Sequence, residues 1–172
     1  MRFFLQSLLF LAIGSGLLYV YLNYGDALYQ QIFGDPAQYT ILVNTVGVSV
    51  TFADTPEERR QGLSGTEPLG PLEGKLFLFD DSDRHGIWMK DMNYSIDILW
   101  IDEELEIAHI EESVSPETYP QIFRPVEPAR YVLETSAQFV NIHSVEVGQR
   151  VSLPPSLIPA DIKAQLSAEY VE

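Results

Sequence analysis

The chain has 172 residues, no cysteine, and 25 Asp and Glu against 10 Lys and Arg, a formal charge of −15. A surplus of that size argues against nucleic acid and anionic lipid surfaces as partners, because binding either depends on neutralising phosphate. The lack of cysteine excludes disulfides, thiolate metal sites and cysteine nucleophiles together, so the core alone must hold the fold.

Residues 3–22 (FFLQSLLFLAIGSGLLYVYL) carry no charge, and as a helix they would reach about 30 Å, the thickness of a bilayer's hydrocarbon. They are expected to form a transmembrane anchor. A secretory signal cleaved near Gly14, Ser15 and Gly16 is the rival, but LLYVYL carries the apolar run past such a point. Arg2 precedes the run and the next cation is Arg59, which predicts a single-pass cell-membrane protein with its N-terminus inside and its C-terminal domain extracytoplasmic. Tyr19, Tyr21 and Tyr24 suit an interfacial belt. The expected organisation is anchor and stalk over 1–38, a β-rich domain over 39–153, and a tail over 154–172 in which Asp161 to Tyr170 favours a short helix.

Within the domain, ILVN and VSVTF read as a hairpin broken around Thr45 to Gly47. Thr55, Pro56 and Glu58 then form a helix start with a capping box, and Gly62 supplies the stop. A Gly and Pro rich loop over 64–74 leads into KLFLFD, and DDSDRHG reads as a turn. In SIDILWID, strand alternation puts Ser95, Asp97, Leu99 and Ile101 on one face and Ile96, Ile98, Trp100 and Asp102 on the other. Both faces are mostly apolar, so this is a core strand. Asp97 within it needs a partner, because an unpaired buried carboxylate costs several kcal/mol or neutralises itself; Lys90, Arg130 and Arg84 are the candidate cations.

A turn at Asp102 to Glu104 joins this strand to LEIAHIEESV. Residues 115–129 hold four prolines, which cannot donate to a sheet ladder, so a loop or lid is expected there, with Tyr119 and Phe123 packing down. ARYVLET returns to strand, SAQFVNIHS suggests a short helix, and GQRVSL a last strand. About eight short strands and one or two small helices predict a mainly β domain, a compact antiparallel barrel-like or sandwich fold.

Several blocks resemble the domain-of-unknown-function 192 family: EERRQGLSG (57–65), GKLFLF (74–79), WMKDMNYSIDILWID (88–102), SPETYP (115–120), ARYVLE (129–134) and VEVGQRV (145–151). The resemblance spans roughly residues 41–153. It implies a compact, mostly β, barrel-like domain and no established activity. The chain departs from the family pattern at Lys75 for a usual Met, Thr66 for a basic residue and Ser95 for Pro. Gln138, Ser144 and Gln149 stand where Gly, Gly and Asp are usual, which opens the helix boundary there to question.

The candidate ligand-binding residues are Trp88, Met89, Lys90, Asp97, Arg130 and Glu134. Trp88 would wall a pocket and Lys90 with Asp97 would supply polar contacts; the competing reading makes Lys90 and Asp97 a structural ion pair. Arg130 and Glu134 share a strand face. If that face met Asp97, Asp97 and Glu134 could act as acid and base in a cell-envelope hydrolase, which is the alternative to a non-enzymatic domain binding a small ligand, envelope component or protein partner. His85, His109 and His143 lack metal-ligand spacing. Asp80, Asp81 and Asp83 lack the loop length and terminal glutamate of an EF-hand. No metal and no cofactor are expected, and no nucleophile elbow, P-loop or dinucleotide fingerprint occurs.

Overall fold

The computed structural model describes residues 39–154 together with 157, 158, 160 and 162. The span assigned to residues 3–22 lies outside these. So does the tail helix read from Asp161 to Tyr170, apart from Ile162, which is helical and buried. Among the described residues no helix is long and apolar enough to cross a membrane.

The strands are β1 (Tyr39–Val43), β2 (Val46–Ala53), β3 (Glu73–Asp83), β4 (Ile87–Trp88), β5 (Ile96–Ile101), β6 (Ile107–Val114), β7 (Ile122–Phe123), β8 (Ala129–Ser136) and β9 (Val151–Ser152). The helices are α1 (Pro56–Gln61) and α2 (Phe139–His143), with a 3-10 turn at Pro116–Thr118. Seven strands make one curled sheet in the order β6-β5-β8-β3-β2-β1-β9, a half-barrel, while β4 and β7 pair separately. The sheet's two ends meet at one corner. There Ile107 donates its amide to Gln149 at 2.9 Å and Val151 donates to Leu105 at 2.8 Å.

The alternation in β5 sorts two cores. Leu99 and Ile101 join Ile41, Val48, Leu76, Leu133 and Phe139 on one face, and Ile96, Ile98 and Trp100 join Phe77, Ile87, Met89 and Val132 on the other. All six residues of β5 are buried, as a strand apolar on both faces requires.

Three expectations are corrected. The sheet is not wholly antiparallel: β2 and β3 run parallel, because residues 54–72 form the crossover that parallel strands need, and α1 lies on it. The segment DDSD is not a turn but the end of β3, which runs past a register shift to pair Asp83 with Ala129. The proline-rich stretch is not plain loop, since it holds a 3-10 turn that begins on Pro116 and the strand β7, which pairs Ile122 with Trp88.

The capping box forms as read. Thr55 Oγ1 accepts the Glu58 amide at 3.2 Å and the Glu58 carboxylate accepts the Thr55 amide at 3.1 Å. Those bonds hold the Glu58 carboxyl below its ordinary range. At the far end Gly62 sits at φ 52°, a conformation that costs other residues a Cβ clash. An added Cβ would also approach the Phe77 ring to 3.3 Å.

Candidate functional site

The register of β8 decides what the candidate residues can do together. Asp97 stands opposite Thr135 and Ile98 opposite Glu134, and directly paired residues share a face. Asp97 therefore belongs to the face of Leu99 and Leu133, and Glu134 to the face of Ile98 and Val132. The carboxylates of the acid and base reading stand on opposite sides of the sheet and share no cleft.

Among the described residues no cation pairs with Asp97. Its Oδ1 accepts the amides of Ser113 at 2.7 Å and Gln138 at 3.2 Å, and its Oδ2 accepts that of Val140 at 2.9 Å. The cations proposed for it are engaged elsewhere. Lys90 is exposed and pairs with Asp91 at 3.7 Å, Arg84 donates to the Pro125 carbonyl, and Arg130 reaches Glu103 at 3.3 Å. The expected Lys90–Asp97 pair is thus replaced by backbone amides, which satisfy a buried carboxylate without importing a second charge.

Glu134 is different. It is only 4% exposed, and its Oε2 is buried without a hydrogen-bond partner. It lines a cavity of about 40 Å³ between α1, the residues after it and the sheet. Leu63, Phe77, Ile87, Met92 and Ile96 supply apolar wall, and Arg59, Arg60, Gln61 and Ser64 bring polar groups to it, with Trp88 also among the lining residues. Burial pushes the Glu134 carboxyl up to about 8, against the opposing pull of Lys75, which stands opposite it across the β3–β8 ladder. At neutral pH the group is therefore mostly a neutral acid. Tyr94 lies in the same field: burial raises its phenol, Thr66 opposes this through a 2.7 Å hydrogen bond, and Glu134 adds to the rise.

Of the residues picked from sequence, Trp88 and Glu134 meet at this cavity. Trp88 is 41% exposed, with its ring edge-on to Tyr119 at 6.3 Å between centroids. Met89 is a core residue at 1% exposure. Lys90 overlooks a separate outer depression with Arg60 and Asp91. Sequence reasoning missed the α1 side of the cavity, along with Phe77, Met92, Ile96, Lys75 and Tyr94. One signal was present: Lys75 is a charge inside KLFLF, where the surroundings are apolar.

The chain belongs to the family DUF192, described as an uncharacterized ACR, whose model matches residues 40–153. Two solved structures are similar in fold. One is a protein from Sinorhizobium meliloti 1021 whose description proposes a transcription regulator, with 29% identity and a TM-score of 0.61, covering 66% of this chain and 89% of that one. The other is a protein of unknown function from Novosphingobium aromaticivorans DSM 12444, with 21% identity and a TM-score of 0.65, covering 67% and 85%. No curated protein matches.

Proposed function

We propose that this domain binds a small ligand, or the end group of a larger envelope component, in the cavity above Glu134, and that residues 3–22 hold it on the outer side of the cell membrane. The observation that carries the reading is a buried Glu134 with an unpartnered Oε2 among the residues that line a small cavity. A buried polar atom without a partner costs on the order of 1–3 kcal/mol, and a site that receives a ligand's polar group is a reason for a fold to retain that cost. Trp88 at the rim supports the same reading, because a half-exposed aromatic beside a cavity offers contact area at little entropic cost. The regulator description of the Sinorhizobium meliloti relative is less well supported here, since a charge of −15 opposes DNA.

The two tryptophans make the test direct. Trp100 donates its indole N–H to the His85 carbonyl at 2.9 Å within the core, while Trp88 borders the cavity. In the full chain in detergent, a panel of neutral, cationic and anionic fragments should include members that shift the Trp88 indole NMR signal saturably and leave that of Trp100 in place. A panel that moves neither signal would overturn the reading.

A further inference from the structure

Resting on that reading, we infer that the cavity takes the terminal ammonium of an unbranched alkyl chain, with Glu134 as its counter-ion and the apolar walls around its methylenes. Size makes the first selection. A water needs roughly 10–15 Å³ of such space, so about 40 Å³ admits a linear end group of three or four heavy atoms and excludes a sugar ring or a nucleobase. Wall chemistry makes the second, because Leu63, Phe77, Met92 and Ile96 suit methylenes and Glu134 is the one carboxylate among the lining residues. Its Oε2 is buried and lacks a donor.

Charge makes the third selection. An ammonium forms a charge-assisted bond with a carboxylate, stronger than the bond a hydroxyl or amide offers, and the Phe77 and Trp88 rings among the lining residues suit a cation. The acidic chain also attracts cations from a distance. Two built-in cations, Arg59 and Arg60, are themselves among the lining residues. Lys75 stands opposite Glu134 yet makes no hydrogen bond to Oε2. Arg59 spends its guanidinium on the carbonyls of Asp54 and Leu78 and on Asp80, and lies over Phe79. Arg60 is exposed on α1. An alkylammonium entering at pH 7 displaces the Glu134 proton, so binding releases a proton to solvent.

The test compares n-butylamine, n-butanol and butyramide against the full chain in detergent, by the Trp88 indole signal and by calorimetry in two buffers of different ionisation enthalpy. Expected are saturable binding of the amine at least tenfold tighter than that of the other two, proton release with the amine alone, and at least a tenfold loss in Glu134→Gln. Met92→Phe, which fills the cavity from another wall, should weaken all three probes and serves if Glu134→Gln fails to fold. A free alkylamine and a lysine side chain share this chemistry. Nα-acetyl-lysinamide binding as well as n-butylamine points to the side chain, and tenfold weaker binding to the free amine. Butanol or butyramide binding as tightly as the amine overturns the inference and leaves the cavity reading standing, whereas no saturable shift with any probe overturns both.

Discussion

Asp97 Oδ2 accepts the amide of Val140 at 2.9 Å, so a carboxylate on β5 caps α2, whose own N-cap residue Gln138 makes no side-chain cap. The first amides of a helix have no partner within it. In this chain the acceptor comes from 43 positions earlier and also holds Ser113 of β6, tying three elements to one side chain.

Removing that acceptor leaves three amides to resatisfy. Asp97→Ala should destabilise the domain by about 3–5 kcal/mol in chemical denaturation. Lys90→Met should change stability by no more than about 0.5 kcal/mol, and the double variant should be additive. A loss under about 1 kcal/mol in Asp97→Ala would contradict the capping role.

How far the sequence carried the fold depends on whether a residue's partner is local. The alternation of β5, the capping box at Thr55 and the hairpin before Val46 rest on neighbours a few positions apart, and all three form. The partners of Asp97 were illegible because they are main-chain amides, delivered by a register irregularity in β6 and a left-handed Gln138. Periodicity also could not show that Asp97 and Glu134 face apart, which only the β5–β8 register decides. The cavity needs the crossover bearing α1 to lie over Phe77, a packing no local pattern encodes.

Glu134 makes stability depend on pH with a definite sign. Its folded pKa of about 8 lies above the unfolded value near 4.5, so the native state holds the proton more tightly. The resulting stability is complete below about pH 4.5 and is lost as pH rises toward 8. At on the order of 1.4 kcal/mol per unit, the loss is several kcal/mol, and Glu134→Gln should flatten that part of the profile. A Glu134→Gln profile parallel to that of the parent between pH 5 and 8 would contradict the neutral acid.

Gln138 and Ser144 flank α2 at φ 70° and 51°, in the left-handed region where a Cβ costs about 1–2 kcal/mol. These are two of the positions where the family pattern favours glycine. Set against glycine's greater entropy loss, Ser144→Gly should stabilise by about 0.5–1 kcal/mol. A lowered denaturation midpoint would show that the Ser144 side chain offsets its strain.

The proposed anchor predicts that the chain fractionates with membranes and that protease added from outside digests the domain. Recovery of a soluble mature form beginning near residue 17 would replace the anchor with a cleaved signal.

The corner where β9 meets β1 and the start of β6 sets an order of events during synthesis. Leu42 pairs with Ser152, so the first strand of the domain waits for one of its neighbours until almost the whole domain has left the ribosome. Contacts this distant in sequence slow folding. Until Val151 arrives, the backbone of Val43 and Leu105 stays open to other strands, and the nascent domain is most exposed to mispairing just before it is complete.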